Sequence, residues 1–176
     1  MFEYNHLYPA GSESYYTDGR DGYVATRTRH VEHLVENRVS NPIFITGDIH
    51  AAWVADLKYR PDDPDNSFKR PVSMTIRAEF VGTSISSGLT QAWVDTYQNA
   101  LNANPHVKYF DGRNGSYVRC DLNSERFHAD FLLASSVNDR LSPVRTVASF
   151  EVYSEADPNL RKGAVLTYKE SSEQEK

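Results

Sequence analysis

A single cysteine, Cys120, stands among the 176 residues, which excludes an internal disulfide and with it the covalent stapling of small loop-rich folds. Nowhere do about 18 apolar residues run together, so no segment reads as a membrane-spanning helix. The start, Met1-Phe2-Glu3-Tyr4-Asn5-His6, has neither the basic residues nor the apolar core of a signal peptide. Basic excess is missing too. The formal net charge is -5, and no Lys- and Arg-rich face collects to neutralise phosphates, which argues against a nucleic-acid scaffold. There is no internal repeat. What remains, 39% hydrophobic and 24% charged, is ordinary globular composition, enough for one domain with one core.

The most informative pattern is Gly47-Asp48-Ile49-His50, preceded by Pro42-Ile43-Phe44-Ile45-Thr46. The apolar run is short, uncharged and bounded by Asn41-Pro42 and Gly47, so it reads as a buried strand. In extended chain, residues two apart point to one side. On that reading Asp48 and His50 emerge together at the carboxyl end of a strand, where layered α/β folds place ligands. Both are metal-capable, yet Gly-Asp-x-His arises by chance in about one chain in fifty of this length. The tetrapeptide alone therefore identifies nothing; a turn-forming carboxylate and a satisfied imidazole explain it equally well.

Other segments read by period. Residues 1–19, rich in Tyr, Gly, Ser and Asp, show none and are expected to be irregular. A helix is expected from Asp21 to about Arg38, with Val24, Val31, Leu34 and Val35 on its buried stripe and Arg27, Arg29, Glu32 and Glu36 largely off it. Residues 51–57 fit helix or strand, residues 60–66 carry turn chemistry, and residues 72–81 resume as a strand. A second helix is expected over residues 89–101, with a stripe of Leu89, Trp93, Tyr97, Ala100 and Leu101. Residues 104–111 read as loop. Antiparallel strands follow over 116–122, with Val118, Cys120 and Leu122 inward, over 126–134, with Phe127, Ala129, Phe131 and Leu133 inward, and over 145–153. His128 and Asp130 then face outward. The tail from Asp157 is polar and expected to fray. The fold class is thus α/β (α+β), a layered sandwich with helices covering sheets.

Taken in order, Asp21-Gly22-Tyr23, the 42–50 segment with Trp53, Glu79-Phe80-Val81-Gly82-Thr83-Ser84-Ile85-Ser86-Ser87, and Asn104-Pro105-His106-Val107-Lys108-Tyr109-Phe110-Asp111 with Gly115-Ser116-Tyr117-Val118-Arg119-Cys120 resemble the PhoD-type alkaline phosphatases. The likeness covers about residues 18–155. It implies part of a metallophosphoesterase-type β-sandwich that hydrolyses phosphate mono- and diesters at a site containing iron and calcium (Fe3+ and Ca2+). It also implies roles: Asp48 and His50 as metal ligands, His50 as a catalytic group, and His106 as a group supporting the ligands. By their own chemistry Thr83, Ser84, Ser86 and Ser87, after a strand beside Gly82, could line a phosphate-binding loop, Thr83 and Ser84 foremost, and a small-residue loop needing tight turns explains them equally well.

Departures limit the carry-over. The family's upstream blocks Gly-Asp-Tyr-Ile-Tyr-Glu and Trp-Asp-Asp-His-Glu, and a metal-binding Cys that precedes the matched region, have no counterpart here. Cys120 sits on a strand and is not assigned that role. Ser-Ser, common after the family's His, is Ala51-Ala52, and the Trp before Asp-Gly-Tyr is Arg20. Residues 1–156 are accordingly expected to be the C-terminal portion of the catalytic domain, with 157–176 a tail. The partners implied are a phosphate-ester substrate and the missing N-terminal half of the domain. The family is commonly exported, and any signal would precede Met1. The rival expectation is a non-catalytic β-rich binding module that keeps the fold without the chemistry. Either way, an isolated half-sandwich should expose apolar faces and open edges.

Overall fold

A computed structural model describes residues 19–59, 75–155 and 163–170. The irregular segment expected over 1–19, the turn-rich loop 60–66 and the tail end 171–176 lie wholly or almost wholly outside the described residues. A 3-10 turn, Arg20–Tyr23, leads into α1 (Val24–Glu36). The strands are β1 (Ile43–Thr46), β2 (Ala52–Lys58) and β3 (Thr75–Val81), then after α2 (Gln91–Ala100) come β4 (Val107–Asp111), β5 (Ser116–Leu122), β6 (Arg126–Ala134), β7 (Val144–Tyr153) and β8 (Val165–Lys169).

Two four-stranded sheets form, ordered β1-β3-β2-β4 and β5-β6-β7-β8. The first is mixed: β1 runs parallel to β3, while β2 pairs antiparallel with both β3 and β4. The second is wholly antiparallel. Their inner faces meet. Ala52, Val54, Ala78 and Phe80 from the first sheet pack with Phe127, Ala129, Phe131, Ala148, Phe150 and Val152 from the second. Phe80 touches Phe127 at a centroid distance of 4.9 Å, and Tyr109 of β4 reaches Phe131 at 5.1 Å. Apolar and aromatic burial of this kind is the dominant favourable term in such a layered fold. The other face of the first sheet is covered by helices, with Val31 and Leu34 of α1 on Phe44, Leu57 and Ile76, and Tyr97 of α2 on Trp53, Val81 and Phe110.

The expected sandwich with covering helices is therefore present, and several details differ. In α1 the buried residues are Arg27, Val31 and Leu34, whereas Val24 is exposed. In α2 Val94, not Trp93, is buried beside Tyr97 and Ala100; one residue is a 100° turn of the helix, and the smaller side chain is the one turned inward. The loop expected over 104–111 contains strand β4, held by pairing with β2. Frayed tail gives way to strand over 165–169, because β7 offers an open edge to pair with. On β5, Val118 packs against the core, but Cys120 and Leu122 are exposed. β1 and β5 are both edge strands, and Ile45 and Leu122 on them are 63% and 76% exposed, the open apolar edges expected of a partial sandwich.

The outer face of the second sheet carries a polar ladder. Arg119 and Ser149 each donate to Asp130 at 2.6 Å, and His128 lies 2.9 Å from Asp130 and 3.4 Å from Glu151. His128 and Asp130 do point away from the core, yet Asp130 is only 7% exposed, its charge satisfied by cross-strand partners.

Candidate functional site

β1 and β3 form the parallel pair of the first sheet, in register with Thr46 opposite Val81. Parallel neighbours send their following loops to the same end of a sheet, and in layered α/β folds that end gathers ligands. The two loops here are 47–51 and 82–90, tied at their roots by Gly82 N–H donating to the Thr46 carbonyl at 2.9 Å. Across the gap, the Ser87 hydroxyl lies 3.5 Å from His50 Nε2, the outer limit of a hydrogen bond. The β4–β5 turn closes the third side. Gly115 packs so closely that an added Cβ would sit 3.0 Å from the Ile85 carbonyl oxygen and 2.9 Å from Val137.

Asp48 and His50 do lie together at the end of β1, but not by strand alternation. The strand stops at Thr46, and both residues have left-handed backbone, with φ of 76° and 57°. Left-handed backbone is uncommon for residues other than glycine and costs about 1–2 kcal/mol each, somewhat less for Asp. Two such residues within three positions make a strained loop, and strain of this sort gathers where a site needs it. The bland explanation of Asp48, a carboxylate capping its own turn, would require hydrogen bonds to backbone amides. Among the described residues its side chain makes none, and it is exposed. His50 is half-buried, and its ring contact is the long one to Ser87. A carboxylate without a partner among the described residues and a nearly free imidazole, two positions apart on one loop, have the donor chemistry of a metal site. Two donors fall short of the four to six a metal takes, and no group of three or more His, Cys, Asp or Glu suited to a metal occurs among the described residues.

Other sequence candidates fare differently. Thr83 is half-buried at the root of the second loop, next to Gly82. Ser84 is also on that loop, but its hydroxyl donates to the Ser87 carbonyl and so closes the loop on itself. His106 is not brought to the site. Buried at 2% exposure, it precedes β4 at the end where Val107 pairs with Ala55, whereas Asp111 at the other end pairs with Ala52; that separation is roughly 13 Å of strand. His106 instead supports the sheet, its carbonyl accepting from Asp56 N–H at 2.9 Å. Asp111, nearer the loops, caps its own turn through Arg113 and Asn114. A cavity of about 230 Å³, lined by Asn41, Ile43, Leu122 and Phe127 among others, opens at the amino end of β1, away from the loops.

Ser87 belongs to the small-residue loop 83–87 weighed from sequence, but its contact with His50 could not be read there. Period and motif reading passed over one group. Glu79, fully buried on β3, accepts a hydrogen bond from the Thr46 hydroxyl at 2.8 Å; a charged residue in an apolar run of strand was the available signal.

Two facing sheets, helices on one outer face, and paired polar loops at the carboxyl ends of a parallel strand pair define a layered α/β sandwich. Comparison with known proteins then gives the family. The sequence pattern of the PhoD-like phosphatases matches residues 1–131, and the chain belongs to that family. It is 35% identical over 160 residues to alkaline phosphatase D of Bacillus subtilis (strain 168), a match covering 90% of this chain and 26% of that protein. It superposes on a solved chain described as the structure of PhoD with a TM-score of 0.76 and 29% identity, covering 99% of this chain and 31% of the other. The chain thus spans about a quarter to a third of the relatives it matches.

Proposed function

We propose that this chain forms the C-terminal portion of the catalytic domain of a metal-dependent phosphoesterase, the alkaline phosphatase and phosphodiesterase type, and contributes Asp48 and His50 to its site. The observation that carries this reading is the strained loop in which the Asp48 carboxylate, near His50 in sequence, has no protein partner among the described residues, in a chain of the PhoD-like family. Asp48 supplies a hard anionic oxygen and His50 a borderline nitrogen, a mixed pair compatible with the calcium and iron that the family likeness implies. Such ions, when bound, polarise a phosphoryl oxygen and acidify a water for attack on phosphorus. His50, within reach of the Ser87 hydroxyl, is oriented toward the loop 82–90. Thr83, on the loop that follows Gly82, is the hydroxyl offered to phosphate oxygens, since the Ser84 hydroxyl is already given to the Ser87 carbonyl. The remaining ligands come from the complementary N-terminal half.

A chimera tests the proposal. This chain replaces the matching segment of alkaline phosphatase D and is assayed for hydrolysis of a chromogenic phosphate ester. Turnover is expected, and Asp48→Asn should lower it by at least about 100-fold, because even groups that only support ligands are worth about 10–100-fold. Near-unchanged turnover in that variant removes Asp48 from the site. The 176-residue chain alone should show almost no activity; robust metal-dependent hydrolysis by it would contradict the shared-site assignment. A chimera that folds, holds no metal and hydrolyses nothing would favour the non-catalytic binding module.

A further inference from the structure

Glu79 is the most deeply buried carboxylate near the paired loops, at 0% exposure. A carboxylate so far from water persists only when hydrogen bonds satisfy it. One partner is the hydroxyl of Thr46, 2.8 Å away. Thr46 is the last residue of β1, and its branched Cβ leaves the hydroxyl little rotational freedom. Its carbonyl is held separately, by Gly82 N–H at 2.9 Å. Side chain and main chain of this one residue are therefore tied in two directions, both onto β3 and its outgoing loop.

The next four residues, Gly47 to His50, include both left-handed positions, and the chain then enters the core at Ala51 and Ala52, 0% and 1% exposed. The loop is suspended between two fixed points. Alanine at the far point has no room to move; at the near point the Thr46–Glu79 hydrogen bond sets the direction in which the chain leaves the strand. Were that direction to relax, Asp48 and His50 would have no reason to stay in backbone conformations that their side chains disfavour.

We infer that Thr46 and Glu79 are positioning residues: the buried Glu79 carboxylate, acting through the Thr46 hydroxyl, holds loop 47–50 in the form that presents Asp48 and His50 to one ligand. The inference rests on the proposed site in naming that ligand a metal ion, and the positioning itself is measurable without it.

The test uses the isotopically labelled 176-residue chain with Mn2+ as the probe, since paramagnetic broadening detects weak binding. Three-bond amide couplings and carbon shifts of Asp48 and His50 report left-handed backbone, and broadening of the His50 ring signals reports Mn2+. In Thr46→Val, which keeps shape and removes the hydroxyl, the left-handed signature should be lost and Mn2+ affinity should fall by about tenfold or more. Thr46→Ser, which restores the hydroxyl, should recover both. A merely structural role would lower the melting temperature of the valine variant and leave the couplings and the affinity alone; that result, or failure of the serine variant to rescue, overturns the inference. Glu79→Gln keeps an acceptor oxygen and should retain the left-handed signature, and its loss there would also overturn it, whether or not Thr46→Val folds. If Mn2+ leaves Asp48 and His50 of the parent chain unbroadened, the site reading fails, while the couplings still judge the Thr46–Glu79 anchor.

Discussion

Asp48→Gly should abolish the proposed site and at the same time make the protein more stable. At φ of 76° an L side chain sits against its own carbonyl, a strain of about 1–2 kcal/mol, with Asp toward the low end. Glycine removes the strain but loses about 0.5–1 kcal/mol through the larger freedom of its unfolded chain. The carboxylate makes no hydrogen bond or ion pair among the described residues, so its removal subtracts no contact. The balance for Asp48→Gly is a gain of up to about 1 kcal/mol. Asp48→Ala keeps the strain and gives up the local tolerance of Asp, so it should lose up to about 1 kcal/mol. The contrast between the two variants, about 1–2 kcal/mol, is the sharper quantity. With a urea slope of roughly 1–3 kcal/mol/M, it separates their unfolding midpoints by roughly 0.3–2 M. His50→Gly should behave alike, at φ of 57°. Equilibrium urea unfolding of the three proteins decides the matter. If Asp48→Gly is no more stable than Asp48→Ala, the backbone at this loop is not strained, and the argument that strain marks the site collapses.

Two further expectations concern the frame around the site. Gly163→Ala would drive a Cβ into the Asp56 carboxylate, and that carboxylate is buried, paired with Lys108 at 3.1 Å and bonded by Ala164 N–H at 3.2 Å. The chain must withdraw and give up the last of these bonds, a loss of roughly 2–4 kcal/mol, with faster amide exchange across β8; the same penalty in an Asp56→Ala background would show that the clash is not the cause. Burial raises the Asp130 carboxyl, but hydrogen bonds from Ser149, Arg119 and His128, with the His128 charge, outweigh it and hold the group below its usual 3.8. A depressed folded-state pKa means stability that is present above pH 3.8 and lost as pH falls through the folded value. Asp130→Asn should flatten that acid limb in unfolding measured from neutral to strongly acidic pH, and an unchanged limb would refute the ladder's role.

The second sheet was legible because its strands face a core on one side and polar surroundings on the other. Phe127, Ala129 and Phe131 alternate with His128 and Asp130, and that alternation is what one buried face requires. β2 defeats the same reading because it is buried along its whole length, so no period distinguishes it from a helix. β4 and β8 were missed for a different reason. Lys108 and Asp111 look like loop, and all five residues of β8 are exposed; both segments become strands because β2 and β7 offer backbone partners distant in sequence. In α2, Val94 displaced Trp93 from the buried stripe because the helix docks through Tyr97 on the rings of Trp53 and Phe110, a surface no local window contains.

For the proposed site, sequence alone singled out the candidate residues. Asp48 and His50 stand out by their type and by the strand before them, and the family likeness rests on segments readable without coordinates. Tertiary structure decided how they are held. Alternation along a strand was the wrong cause of their proximity; two left-handed residues between Thr46 and Ala51 are the right one. Left-handed backbone in a residue other than glycine leaves no mark in sequence, because the side chain opposes it and only the surroundings enforce it. Those surroundings, Glu79 beneath Thr46 and Ser87 beside His50, lie 33 and 37 residues along the chain from the groups they touch, and meet them only because β1 and β3 pair in parallel.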